Sequence, residues 1–261
     1  MHTKESAVVR WHFLFLIALH MADAGSIIQI KKLLKQEVAS MDTALKTKRL
    51  ILRRWQESDA EILYGYASDP AVGPPAGWPP HTSVENSREI IKSVLSRPET
   101  YAVCLPSGEP IGSIGLHLKG STDMTDREDE CELGYWIAKP FWGQGLIPEA
   151  ACEILRYAFE KLGMRAVWCG YYDGNEKSKR VQEKLGFQYR YTTHGLNVSL
   201  LNEIRTGHTN LMTKERWQKA ELFREQKKTL DTFLGTKAIS QAQYNKSLGD
   251  LRELMQMHGV E

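Results

Sequence analysis

The chain's most suggestive chemistry lies in Phe141-Trp142-Gly143-Gln144-Gly145-Leu146-Ile147-Pro148-Glu149-Ala150, where two glycines stand between a strand and a helix start. Glycine lets the backbone approach a ligand closely, and a helix start offers unpaired N–H groups at the positive end of its dipole. That combination suits a pyrophosphate. It is not the dinucleotide-binding G-x-G-x-x-G, because Pro148 takes the last glycine's place, and no G-K-[ST] follows as in a P-loop. Further on, Asn175-x-x-Ser178 opens another helix. Alone, such an asparagine is a turn residue and such a serine a helix cap. Other chemistries find little support. The eight histidines form no H-E-x-x-H, and Gly112-Ser113-Ile114-Gly115 falls short of G-x-S-x-G. Cys104, Cys131, Cys152 and Cys169 lack the C-x-x-C spacing of a zinc site, so no metal is expected. Each lies in an apolar stretch, as reduced buried thiols of a cytoplasmic protein would. Asn197-Val198-Ser199 has the glycosylation pattern, which matters only in a secreted chain.

The elements that must carry these residues follow from periodicity. Arg49–Trp55 reads as a strand, and Ser58 as the cap of a helix to about Ser68. Five of the ten prolines fall in 69–83, which excludes regular structure there. Thr82-Ser83-Val84-Glu85 reads as a capping box for a helix to about Ser96. Strands are expected at 100–105, 110–118 and 130–137, the first two joined by the turn Pro106-Ser107-Gly108-Glu109. The strongest helical stripe is Ile147, Ala151, Ile154, Leu155, Ala158 and Leu162, with Pro148 tolerated in its first turn. A strand at 166–172, a helix at 178–185 and strands at 187–193 and about 209–212 follow. Antiparallel strands early and β-α-β later imply a mixed sheet of the α+β class.

The run ELGYWIAKPFWGQGLIPEA, the helix after it, and Asn175-x-x-Ser178 with Val181-Gln182-Glu183-Lys184-Leu185-Gly186-Phe187 closely resemble the GNAT superfamily of acetyl-CoA-dependent N-acetyltransferases. The branch resembled contains the ribosomal-protein N-terminal acetyltransferases. The opening TKRLILRRWQESDAE is similar to its first strand and helix. The resemblance covers about residues 43–217. It departs at Trp142, seen in this branch, and at Ile147, where a small residue is usual. It implies a twisted, mostly antiparallel sheet with a V-shaped splay between its central strands and helices on both faces. An acyl-pantetheine arm would lie in the splay, bonded to backbone near Trp136 and Ile137. The pyrophosphate would rest on the loop Gly143, Gln144, Gly145, Leu146 and Ile147, and Asn175 would bind the pantetheine amide. The reaction needs a neutral amine. An α-amine has a pKa of about 8 and a lysine amine about 10.4, so a proton must leave before or during attack. Glu132 is the candidate base; strand alternation puts it on one face with Gly134 and Trp136, away from Cys131, Leu133 and Tyr135. Its plain alternative is an ordinary strand-edge carboxylate, and Glu130 and Asp129 are weaker candidates. Ser178 matches the position that would donate to the leaving sulfur, with Tyr172 as the alternative donor. Trp78, in the proline-rich segment, would wall the acceptor channel or merely anchor its loop.

The whole chain has 261 residues, 42% hydrophobic and 25% charged, with 34 Lys+Arg against 32 Asp+Glu. A balance this close gives no electrostatic case for nucleic acid as a partner. Val8–Leu19 is the most apolar stretch, too short to span a bilayer and broken by Arg10 and His12, so no stable membrane insertion is expected. Residues 1–42 read as a partly helical extension, with a helix at 27–38, and 43–217 as the acetyltransferase-like domain. Residues 218–261 read as a helical hairpin, with Ser240-Gln241-Ala242-Gln243 as a capping box. The hairpin packs on its own domain or forms a homodimer or partner surface. Two functions follow: transfer of acetyl from acetyl-CoA to a primary amine (a protein N-terminus or a small molecule), or a CoA- or partner-binding module of the same fold with little catalysis.

Overall fold

The computed structural model describes residues 44–257, 259 and 260. The expected N-terminal extension, with its apolar stretch and the helix at 27–38, lies outside the described residues. In chain order the elements are β1 (Leu45–Lys46), β2 (Ile51–Arg53), α1 (Ala60–Ala67), α2 (Val84–Ile90), β3 (Thr100–Cys104), β4 (Pro110–His117) and β5 (Glu130–Ile137). Then come α3 (Leu146–Glu160), β6 (Ala166–Tyr172), α4 (Glu176–Leu185), β7 (Gln188–Val198), β8 (Glu203–Thr213), α5 (Lys214–Gly235) and α6 (Gln241–Met255). All eight strands join one sheet in the order β1-β2-β3-β4-β5-β6-β8-β7. Every neighbouring pair is antiparallel except β5 and β6.

The period-2 pattern of the strands and the stripe of α3 meet in one core. Ala150, Ala151, Ile154, Leu155 and Ala158 of α3 are at most 1% exposed and pack on Cys131 and Leu133 of β5 and Val167 and Cys169 of β6. The opposite face is covered by Leu63 and Ala67 of α1 and Ile91 after α2, packed with Trp55, Ala102 and Cys104. The sheet is therefore buried on both sides in its middle, with helices on each.

Element starts differ from the sequence expectation where side chains compete for caps. Arg53 grips Asp59 through two hydrogen bonds of 2.7 and 2.8 Å, and Asp59 accepts from the Gln56 N–H. That locks a 3-10 turn over Glu57–Asp59, so α1 starts after it rather than at Ser58. Ser83, not Thr82, caps α2, accepting from Asn86 N–H at 3.0 Å, while the Thr82 N–H reaches Asn86 Oδ1. A short 3-10 turn, Pro74–Ala76, interrupts the proline-rich segment expected to be irregular throughout. β7 and β8 are longer than their hydrophobic patterns implied. Register shifts at Tyr189/Tyr191 and Thr193/Leu196 break the alternation on which strand reading depends.

The C-terminal helices form the expected hairpin, and the Ser240 box is present in full. The first turn of α5 joins the main core, since Trp217 stacks on Phe159 at 5.3 Å. Beyond it Ala220, Phe223, Leu248, Met257 and Val260 make a satellite core, and Arg224 and Arg216 donate to the Leu185 and Gly186 carbonyls at the end of α4. Phe223 is fully buried there, whereas Leu254 is 83% exposed. Phe223→Ala is expected to cost about 3–5 kcal/mol of unfolding free energy in urea titrations, and Leu254→Ala no more than about 0.5 kcal/mol.

Candidate active site

β5 and β6 pair only at Glu130↔Ala166, Cys131↔Val167 and Glu132↔Trp168. Beyond that point each keeps its outer partner, β5 pairing with β4 to Gly112↔Ile137 and β6 with β8 to Tyr172↔Gly207. The inner edges from Leu133 and Cys169 onward therefore diverge as a V. A cavity of about 750 Å³ fills the opening, lined by both edges, the start of α3, α4 and part of the 119–129 loop. Its size falls in the range of small-molecule sites, roughly 300–1,000 Å³.

One end of the cavity is shaped for an anion. Gly145 caps α3 at φ 71° and Gly143 lies at φ 75°, left-handed conformations that favour glycine, and a Cβ on Gly143 would meet nothing within 4 Å. The first N–H groups of α3 have no partner within the helix. Ile147 is 5% exposed, so its side chain is turned inward and leaves its backbone at the cavity. Lys177 and Arg180 on α4 line the same cavity, Lys177 3.8 Å from the centre of the Trp142 ring. Backbone donors, a helix dipole and cations together fit a diphosphate. The loop is braced from behind: Arg49 bonds the Gln144 carbonyl at 3.0 Å and Glu149 of α3 at 2.6 Å. Burial opposes ionisation of Glu149, but hydrogen bonds from Thr47 and Arg49 outweigh it and hold the carboxyl below its usual range.

At the vertex of the V, Glu132 accepts from Thr122 at 2.6 Å. Burial pushes its pKa up; the Thr122 bond and His117 pull against that, and Asp123 adds to it. Tyr172, on the same face of its strand relative to the sheet, has its pKa raised by burial against the pull of Arg205. Gly77, at φ 94°, passes so near the Tyr172 ring that a Cβ would lie 3.0 Å from it. On the other face, Ser178 of α4 lies 3.0 Å from the Tyr135 hydroxyl, which is buried and titrates well above its ordinary value for that reason.

The structure brings Glu132, Trp136, Ile137, Gly143, Gly145, Leu146, Ile147, Tyr172, Asn175 and Ser178 around this single cavity. Gln144 and Trp78 are not among its lining residues. The Gln144 amide turns back to the Pro140 carbonyl at 3.0 Å, and Trp78 packs edge-on against Trp136 at 5.8 Å and beside His81. Asn175 caps α4, accepting from the Ser178 N–H at 3.1 Å, and donates to the Pro75 carbonyl at 3.0 Å. The helix consequently starts at Glu176, and Ser178 is not its cap. Sequence reasoning missed Tyr135, Gln182 and the cations of α4. The spacing of Lys177, Arg180 and Lys184, three and four apart on one helical face, was the available signal for the last. Among the described residues no group of three or more His, Cys, Asp or Glu could hold a metal, and no helix is long and apolar enough to cross a membrane.

A family profile described as an acetyltransferase (GNAT) domain matches residues 49–188, more than half of the chain and all of the cavity's lining except the part that β7 and β8 supply. The chain belongs to the GNAT acetyltransferase family. Uncharacterized N-acetyltransferase p20 of Bacillus licheniformis is 28% identical over 151 residues, 55% of this chain and 82% of that protein. The protein named "Putative ribosomal N-acetyltransferase YdaF" of Bacillus subtilis (strain 168) is 42% identical over 83 residues, 32% of this chain and 43% of that one. A GNAT-family acetyltransferase structure from Bacillus anthracis superposes with a TM-score of 0.58 at 21% identity, covering 66% of this chain and 99% of the other, which shows the shared fold. The acetyltransferase thus carries a half-buried carboxylate at the vertex of its V.

That carboxylate makes the enzyme's stability depend on pH in a definite sense. Glu132 is held above its unfolded value of about 4.3, so the wild type loses stability as pH rises from there through its folded pKa. Glu132→Gln is expected to melt higher than wild type at pH 8, with the difference vanishing below about pH 4, in calorimetric scans across pH.

Proposed function

We propose that this acetyltransferase moves acetyl from acetyl-CoA to a primary amine by direct attack within a ternary complex. The observation that carries the reading is the parting of β5 and β6 beside the glycine-flanked start of α3. Acetyl-CoA supplies the activated carbonyl. The N–H groups of Gly143, Gly145, Leu146 and Ile147 hold its pyrophosphate, with Lys177 and Arg180 adding positive charge. The unpaired edge near Trp136 and Ile137 binds the pantetheine arm as a strand would, and Asn175 lines the far wall, its amide already engaged in capping α4.

Glu132 takes the proton of the attacking amine, directly or through water. Its raised pKa suits a group that must accept a proton near neutrality. The amine nitrogen forms the new bond to carbon, the carbon–sulfur bond breaks, and its electron pair leaves on sulfur. Backbone N–H groups along the open edge of β5 stabilise the oxygen that becomes negative during attack. Ser178 donates a hydrogen bond to the departing sulfur; Tyr172, at the open end of β6 on the face of Glu132, is the alternative donor. A thiolate leaves readily because its conjugate acid has a pKa of only about 8.5. The acceptor enters from the face of Glu132 and Tyr172, under the loop that holds Thr122 and Asp123.

The name of YdaF supports an amine of a ribosomal component as acceptor. Four free cysteines support action in a reducing cytoplasm. Calorimetry with acetyl-CoA and thiol release over a panel of N-terminal peptides and small amines test the reading; no binding at millimolar acetyl-CoA rejects it. With an accepted amine, Glu132→Gln is expected to lower kcat by about 10²–10⁴ and leave CoA affinity unchanged.

A further inference from the structure

Behind Ser178 lies a chain of buried polar groups that packing alone does not require. Gln182, one turn further along α4, is fully buried, and Asn210 of β8 is 7% exposed. Asn210 Nδ2 donates to Gln182 Oε1 at 2.7 Å. Gln182 Nε2 in turn donates to the Gly170 carbonyl at 3.1 Å and to Ser178 Oγ at 3.2 Å. Neighbouring inward positions on the helix, Val181 and Leu185, are apolar. Burying two amides is costly unless each is bonded, and a fully bonded network fixes geometry. The amide of Gln182 has only one orientation that satisfies this set: its oxygen faces an N–H donor, and its nitrogen faces a carbonyl that can only accept.

We propose that Gln182 is a positioning residue that sets the direction of the Ser178 hydroxyl hydrogen. A hydroxyl has one hydrogen to give and two lone pairs to receive with. The Gln182 amide can only donate toward Ser178, so it fills one lone pair from inside the protein. The Tyr135 hydroxyl donates to the Ser178 carbonyl at 3.2 Å and lies 3.0 Å from Ser178 Oγ, where either oxygen can be the donor. The hydrogen of Ser178 is thereby kept from the interior and left to the Tyr135 oxygen or to the cavity, where the thioester sulfur of the proposed reaction would receive it. Asn210 acts one step further back, by preventing the Gln182 amide from turning over.

The inference rests on the CoA reading above, and its test separates the two. The readout is the thiol pKa of enzyme-bound CoA, taken from thiolate ultraviolet absorbance with the desulfo-CoA complex as blank, so no acceptor is needed. In the wild type the bound thiol is expected to titrate below that of free CoA measured in the same buffer. Ser178→Ala is expected to raise it by about 1, a tenfold loss of thiolate at fixed pH. Gln182→Glu, whose carboxylate draws the serine hydrogen inward, is expected to raise it as far, and the double variant no further. Gln182→Met, uncharged and of similar volume, gives the same reading should the carboxylate prevent folding. Gln182 variants that keep the wild-type thiol pKa while Ser178→Ala raises it overturn the proposal, as does a Ser178→Ala variant with no shift. Failure of CoA to bind the wild type overturns the cofactor reading along with it.

Discussion

Two parallel strands that begin as partners and then separate are the constraint on which the molecule is built. Once β5 and β6 part after Glu132 and Trp168, each inner edge carries backbone N–H and C=O groups that a continuous sheet would have paired. Buried groups of this kind need partners. Strand edges accept an extended chain bearing amides most readily, so the opening favours a ligand of that shape. The outer ladders, β4 to β5 and β6 to β8, remain continuous to the ends of both strands and keep the opening rigid. The V is thus part of the folded sheet and does not depend on a mobile segment.

The two faces of the opening have different chemistry because successive strand residues point in opposite directions. One face presents Glu132 and Tyr172 under a loop anchored by Thr122; the other presents Tyr135 toward Ser178 on α4. A carboxylate kept short of solvent and a hydroxyl held by an amide are both expensive in an interior of low polarity. Both are tolerated because each has hydrogen-bond partners in place: Thr122 for Glu132, and Gln182 with Tyr135 for Ser178.

Elements outside the cavity hold its walls. Arg49 and Thr47, near the start of the sheet, clamp Glu149 and the loop before α3. Trp55, Trp78 and Trp136 form an aromatic group behind β5, with Trp55 stacked 6.4 Å from Trp136. The proline-rich segment is tied across the opening by Asn175 to the Pro75 carbonyl and by Arg205 to that of Pro74. A residue such as Trp78 therefore shapes the site at one remove.

Periodicity in the sequence determined the strands at 130–137 and 166–172, the helix between them and the glycine-flanked helix start, because each depends on neighbours within a few residues. The family resemblance rested on the residues of particular motifs, the run from Glu132 to Ala150 and the block from Asn175 to Phe187. Where β5 leaves β6 was not readable, since nothing in either strand's own pattern encodes how far a partner across the sheet remains in register. The same holds for caps and for long polar side chains. Asn175 rather than Ser178 caps α4, Gln144 turns away from the cavity, and Gln182 finds Asn210 on a strand 28 residues further on. Those outcomes rest on competition between hydrogen-bond partners that only the folded chain brings within reach, and tertiary structure alone decided them.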